Sequence, residues 1–304
     1  VAGLIRTLGT AAGTGSIRSL KDSETFFIIG SNTTEQHPII GSTIILEKKK
    51  GKKLIVADPR RTKMAELADI FLQFRPGSDV ALLNSMLFVI IKEGLYDRDF
   101  INKRTEGFDE LVKEVEKYPP EVTEPITGLD PELVVKAARL YAKNRPSAIL
   151  YVMGITQHIH GTENVIDVSN LALATGNIGK SGSGIFPLRG QNNVQGSSDM
   201  GALAEFYPGY VSPESEGVNR FESLWNAKLP RKTGLMLSEM FDAAVEGKVK
   251  AIYLMGENPV ITEANVSQVE KALERLDLFI VQDIFMTETA SHATVILPAS
   301  TALE

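Results

Sequence analysis

The chain has 304 residues, 43% of them hydrophobic, with 32 Lys+Arg against 38 Asp+Glu for a net charge of −6. That length suggests about two domains and is ample for a substantial core, and one basic block at 48–53 in a mildly acidic chain argues against nucleic acid as the main partner. There is no cysteine, which excludes disulfides, thiolate metal sites and a cysteine nucleophile within these residues.

No apolar run reaches the ~18 residues of a membrane span, and the opening VAGLIRTLGTAAGTGS lacks the basic start and long apolar region of a signal peptide. The first residue is not methionine, and Leu303-Glu304 closely follow a strand pattern, so a segment of a longer polypeptide is expected. A cytoplasmic location is the expectation, with a periplasmic one left open.

In chain order, TFFIIG (25–30) is a short apolar run ending in glycine, as a buried strand would. The polar loop SNTTEQHP follows, then IIGSTIILEKKKG reads as a helix closed by Gly51. KLIVADP (53–59) is a second strand, TKMAELAD a short helix and IFLQF (70–74) a third strand. PGSDVALLNSMLFVIIKEGL starts with turn residues, offers Ser78 or Asp79 as a helix cap, and continues as an apolar-faced helix. GFDELVKEVEKY and DPELVVKAARLYAKN are amphipathic helices, and SAILYVMG (147–154) is another strand ending in glycine.

From residue 192 about forty residues show little periodicity, the mark of a functional loop or a domain crossover. Regularity then returns. LMLSEMFDAAVEGKVKAIYLMGENP reads as helix, turn, strand and polar loop; TEANVSQVEKALERLDLFIVQDIF as helix then strand; TETASHATVILP as a polar segment and a strand. The expected fold class is α/β: two units with mostly parallel sheets flanked by helices, spanning 1–191 and 192–304, the second incomplete.

Parallel sheets of this kind bind ligands at the carboxyl ends of their strands. The loops after Gly30, Ala57, Phe74 and Met153 then share one edge, carrying Asn32, Glu35, Asp58, Arg60, Gly77, Asp79, Thr156 and Gln157. Such loops suit a nucleotide, although any α/β domain has polar loops there. The common phosphate-cradle, zinc-protease and serine-hydrolase motifs are absent, and the glycines at 9, 13, 15, 179, 182 and 184 read as turn glycines. His158 and His160 read as structural or surface groups, with no third metal ligand nearby, and His37 is placed to hydrogen-bond a ligand or a neighbouring loop. PLRGQNNVQGSSDMG (187–201) sets Arg189 among glycines, amides and hydroxyls. A guanidinium there suits a small carboxylate or a phosphate, whose two oxygens match its fork. The competing reading is an arginine that pins a long loop to the chain's own carboxylates.

GSNTTEQHPI, IVADPRRT, PGSDVALLNSM, YVMGITQHIHG, ATGNIGKSGSG, RGQNNVQGSSDMG, YLMGENP and IVQDIFMTETASHATVILP occur here in the order found in one family. The chain resembles the catalytic (alpha) subunit of molybdenum- or tungsten-dependent formate dehydrogenases, within the dimethyl-sulfoxide-reductase superfamily. The resemblance implies bis-molybdopterin guanine dinucleotide, with one dinucleotide on each α/β unit and four dithiolene sulfurs holding Mo or W. It implies that Gly30, Asn32, Glu35, Asp58, Arg60, Gly77 and Asp79 contact one dinucleotide. By the same resemblance, Met153, Gln157, Gly176, Gln191, Gly256, Glu257 and Asn258, with Gln282, Asp283 and Thr287 as weaker candidates, are expected near the pterins or the other dinucleotide. Arg189 matches the catalytic arginine beside the metal, where it would hold formate as CO2 forms. A cysteine or selenocysteine metal ligand, a histidine and the cysteines of a 4Fe–4S cluster are expected upstream of Val1, so this segment alone is expected to be inactive. Electron-transfer subunits or a redox carrier are the implied partners. Another molybdopterin oxidoreductase, nitrate-reductase-like or a subunit of an NADH-oxidising complex, remains an alternative, as does a cofactor-free structural module.

Overall fold

Five short apolar runs pair into a single sheet in the first part of the chain. The computed structural model describes residues 1–301, so Leu303 and Glu304 lie outside the described residues. The chain divides into two compact units, Val1–Gln195 and a second beginning at Gly196.

In the first unit β1 (Thr25–Ile29), β2 (Lys53–Ala57), β3 (Ile70–Leu72), β4 (Ser147–Tyr151) and β5 (Gly184–Pro187) lie in the order β3-β2-β1-β4-β5. Every pair is parallel; Thr25 of β1 sits opposite Lys53 of β2 on one side and Ser147 of β4 on the other. Parallel pairing requires a crossover between strands, and the crossovers cover both faces of the sheet. That is why these strands read as unbroken apolar runs and why all five residues of β1 are buried. Phe27, Ile29 and Ile149 pack on one face, and Phe26, Ile28 and Leu54 on the other. The Phe27 ring meets Tyr141 edge-on, 6.1 Å between centroids, an arrangement the ring quadrupoles favour.

The expected helices form at Pro38–Lys49, Lys63–Leu67, Asp79–Lys92, Phe108–Val115 and Pro131–Lys143. Ser78 occupies the N-cap position of the third, but its side chain makes no capping bond; its hydroxyl donates to the Arg75 carbonyl at 2.6 Å instead. Other details differ from the sequence pattern. Met153–Thr156 is one helical turn, not the end of β4. Gly161–Ala174 is a helix with little amphipathic pattern, because it packs between the Ala2–Leu8 and Asp79–Lys92 helices and is buried on several sides. Strand β5 lies within a glycine- and serine-rich stretch whose composition hides it.

The second unit has a parallel three-stranded sheet, β6 (Ala251–Met255), β7 (Leu278–Asp283) and β8 (Val295–Pro298), in that spatial order. Phe279 and Val281 of β7 pack against Phe241, Val269 and Leu273 from the helices Leu237–Val245 and Val266–Glu274. The weakly periodic stretch before it contains the helix Val218–Trp225. There Phe221 and Trp225 lie 5.2 Å apart by centroid, and Tyr207 stacks on Phe221 at 5.8 Å. Short, aromatic and flanked by glycine, serine and proline, this cluster is too small to set a readable period. Among the described residues no helix is long and apolar enough to cross a membrane.

Candidate functional site

In the first unit the chain leaves β1 toward β2 on one side and returns as β4 on the other. Between two such strands the flanking connections diverge and a crevice opens at their carboxyl ends. Gly30 follows β1 and Gly154 follows β4, and the two meet at the floor of that crevice. Gly30 has φ +59°, in the left-handed region, and a Cβ there would lie 2.7 Å from the Gly154 carbonyl carbon.

Above these glycines a cavity of about 410 Å³ opens. Gly30, Asn32, Asp58, Arg60, Gly77, Asp79 and Met153 all line it, although they come from four separate strand-end loops. Asp58 accepts the Arg60 N–H at 2.8 Å, which shapes the turn after β2. Asp79, at the start of its helix, is only 1% exposed, and its Oδ1 has no hydrogen-bond partner. Burial raises the Asp79 pKa above the usual carboxylate value; His158, with Nε2 3.9 Å from Oδ2, pulls the other way. Asp79 lines the cavity, and a buried carboxylate oxygen without a partner is suited to accept an N–H bond from a polar ligand.

A second cavity, of about 550 Å³, shares Gln36, Val152 and Met153 with the first and extends toward β5. Its walls are largely apolar, with Leu4, Tyr151, Pro187 and Leu188 among them. Arg189 and Gln191 line it as well. The Arg189 guanidinium donates through Nη2 to the Ala11 carbonyl at 3.1 Å and to Gln195 Oε1 at 3.2 Å. Its own carbonyl accepts from His37 Nε2 at 2.9 Å, so His37 does bond a neighbouring loop. Among the described residues Arg189 forms no ion pair with a carboxylate, which removes the loop-pinning reading in its original form.

Not every expected residue converges on this edge. Glu35 and Gln157 are exposed and line neither cavity. Gly176 lies at the opposite, amino edge: it closes the Gly161–Ala174 helix with φ +66°, and a Cβ there would meet Asp97 at 2.6 Å. Its neighbour Asn177 accepts the Ser147 N–H at the start of β4, which fixes that location.

In the second unit Gly256, Glu257, Asn258, Gln282, Asp283 and Thr287 gather at the carboxyl edge of the small sheet. The Gly256 N–H donates to the Gln282 carbonyl at 2.9 Å, and Asn258 Oδ1 accepts from the Thr289 hydroxyl at 2.6 Å. Asn258 also donates to Glu288 at 2.9 Å, and the Tyr253 hydroxyl bonds Gln282. These polar groups are mostly committed to one another, in contrast to Asp79.

Gly154, Tyr151 and His158 are among the cavity residues that sequence reasoning passed over. Gly154 was legible only as a strand-ending glycine. Tyr151 looked like core. His158 does have a structural role, with Nε2 2.8 Å from the Gly154 carbonyl, but it also lines the first cavity. Its signal was its position just past a strand's carboxyl end.

With this geometry in place, comparison with known proteins is decisive. Residues 7–304 match the family model described as molybdopterin oxidoreductase. The chain belongs to the molybdopterin oxidoreductase family. It is 49% identical over 300 residues to the F420-dependent formate dehydrogenase subunit alpha of Methanocaldococcus jannaschii, covering 99% of this chain and 44% of that protein. It is 46% identical over 302 residues to formate dehydrogenase H of Escherichia coli, covering 99% and 42%. Acetylene hydratase from Pelobacter acetylenicus shares the architecture with a TM-score of 0.77 at 28% identity, over 100% of this chain and 44% of that one. The chain therefore spans less than half the length of the relatives it matches. The family implies a molybdopterin cofactor carrying Mo or W, and the residues present fit such a group. The glycine floor leaves a cradle that a Cβ would fill, and Asp79 offers a buried acceptor with no partner of its own.

Proposed function

We propose that the protein containing this chain oxidises formate to CO2. The observation that carries this reading is Arg189: half-buried, free of any carboxylate among the described residues, on the wall of a mostly apolar cavity continuous with the glycine-floored cleft. The similarity to formate dehydrogenase subunits supports it. An always-charged planar fork can hold a carboxylate by two oxygens, and an apolar wall strengthens that attraction.

The cofactor on this reading is bis-molybdopterin guanine dinucleotide. When bound, its metal supplies the two-electron acceptor: formate gives CO2, one proton and two electrons. Asn32, Asp58, Arg60, Gly77 and Asp79 hold one dinucleotide, with Asp79 Oδ1 accepting ring N–H groups. Met153 and Gln191 lie toward the pterins. The strand-end cluster of the second unit, Gly256–Asn258 with Gln282, Asp283 and Thr287, holds the other dinucleotide. Arg189 binds formate and aims its C–H bond. The chain has no cysteine, so a thiolate ligand to the metal and the 4Fe–4S cluster belong to other parts of the protein. Electrons leave through that cluster to partner subunits or a carrier.

The test uses the full-length protein purified without oxygen. Metal analysis, fluorescence of oxidised pterin and formate-dependent reduction of a viologen dye should all be positive. Metal and pterin without formate oxidation would point to a different substrate. Absence of both would leave a structural module.

A further inference from the structure

Tyr151 is the last residue of β4, directly opposite Pro187 of β5, and its carbonyl accepts the Leu188 N–H at 2.9 Å. Side chains alternate along a strand. Tyr151 therefore shares the face of Ile149 and Ile185, packed beneath Leu4 of the Ala2–Leu8 helix and Val165 of the Gly161–Ala174 helix. Two residues beyond Pro187 on the neighbouring strand's exit, Arg189 reaches the same cavity.

The residue is 2% exposed, yet it lines that cavity. Its hydroxyl has no hydrogen-bond partner among the described residues, and unlike the Tyr141 hydroxyl its oxygen is not sealed on all sides by protein. A buried tyrosine normally finds a partner for its O–H, because an unpaired hydroxyl away from water is unfavourable. Here the space it opens onto holds Arg189. Burial pushes the Tyr151 pKa up to about 12, with Arg189 acting in the opposite sense. The phenol thus keeps its proton, and its ability to donate, throughout the neutral range.

We propose that Tyr151 is a second anchor for the substrate anion, its O–H donating to a carboxylate oxygen of the small acid held by Arg189. The proposal rests on the formate reading and deepens it. A carboxylate has more acceptor positions than one guanidinium occupies, and a neutral donor from the adjacent strand end adds direction without adding charge. Of the other hydrogen-bonding side chains of the cavity, Gln36, Thr156 and Gln191 are exposed, and His37 is half-buried with its Nε2 on the Arg189 carbonyl. His37 Nδ1 is also buried and unpartnered, but Tyr151 is the more deeply buried of the two residues, is held by the sheet and carries a hydroxyl that can donate.

The experiment compares wild type, Tyr151→Phe and Arg189→Lys in the full-length, cofactor-loaded protein. Steady-state formate oxidation is measured together with the inhibition constant of nitrate, a planar oxyanion with no C–H bond. Removing one hydrogen bond to a charged acceptor should raise the formate KM about tenfold in Tyr151→Phe, with a smaller fall in kcat. The nitrate constant should rise in parallel, while metal content, pterin content and melting temperature stay at wild-type values. An unchanged KM and nitrate constant would overturn the role of Tyr151. So would losses of kcat, cofactor and melting temperature together, which indicate packing alone. Arg189→Lys separates the two ideas. If it abolishes formate oxidation while Tyr151→Phe is silent, only the second anchor fails. If wild type does not oxidise formate, both readings fall.

Discussion

Gly30 and Gly154 meet main chain to main chain: the Gly154 N–H donates to the Gly30 carbonyl at 3.2 Å, and a Cβ on Gly154 would lie 2.6 Å from the Gly30 Cα. Neither position has room for a methyl group, and the atoms in the way are backbone. Gly154→Ala must push the two strand exits apart, at an expected cost of about 1–3 kcal/mol. Gly30→Ala adds the strain of a left-handed φ. Both variants of the full-length protein should melt earlier and retain less pterin, with Gly30→Ala the worse. A Gly154→Ala protein with wild-type melting and pterin content would show that the strand exits are not in contact.

On the proposed function, Asp79 bears on retention of the dinucleotide. Asp79→Asn keeps the shape but turns one acceptor oxygen into a donor, so N–H groups of a bound base would face an N–H instead. The variant should fold normally and be purified with substantially less pterin. The wild type should also lose cofactor faster as the pH falls. Burial raises the Asp79 pKa, and protonation removes acceptor capacity from its carboxyl group. Full cofactor content in Asp79→Asn would count against any contact with the base.

Arg189→Lys retains a charge but loses the planar fork. Its bonds to Ala11 and Gln195 hold the present orientation, and a lysine cannot reproduce both while gripping two substrate oxygens. The expected loss in kcat/KM for formate is on the order of a hundredfold or more. Dye-linked assays of the purified variant measure it, and near-wild-type activity would exclude the clamp.

Asp167 should make stability depend on pH. It lies buried between helices, accepting from Asn84 Nδ2 at 2.8 Å, and burial raises its pKa from 3.8 to about 7. Between those values the unfolded chain has released the proton while the folded chain keeps it. Stability therefore falls as pH rises from about 4 to about 7, by up to ~1.4 kcal/mol per pH unit, and then levels off. Asp167→Asn, with similar volume and no charge, should flatten this stretch and raise the melting temperature at neutral pH. Parallel melting curves across pH 4–8 for the two proteins would rule out the buried acid.

The first sheet was largely legible because parallel strands buried on both faces appear as continuous apolar runs, as TFFII and KLIVA do. Gly161–Ala174 was not, because a helix buried on several sides carries no 3.6-residue stripe. The loops that form the cleft could be listed from the strand ends, and seven of the expected residues converge there. Gly176 could not be placed by that logic: a glycine that caps a helix and a glycine beside a ligand look alike in sequence. Tyr151 was hidden for a related reason, since a strand-end aromatic reads as core until the empty space beside its hydroxyl is seen.

The central strand β1 has one partner nearby in the chain, at Lys53, and another far away, at Ser147. The later pairing closes a long loop and is entropically the harder of the two. Since Gly30 and Gly154 sit at the ends of that distant pair, the glycine-floored cleft does not exist in a nascent chain that has only reached β2 or β3. On the proposed function, cofactor insertion is thereby tied to completion of this unit, and a ribosome-bound intermediate truncated before β4 should have nothing to load.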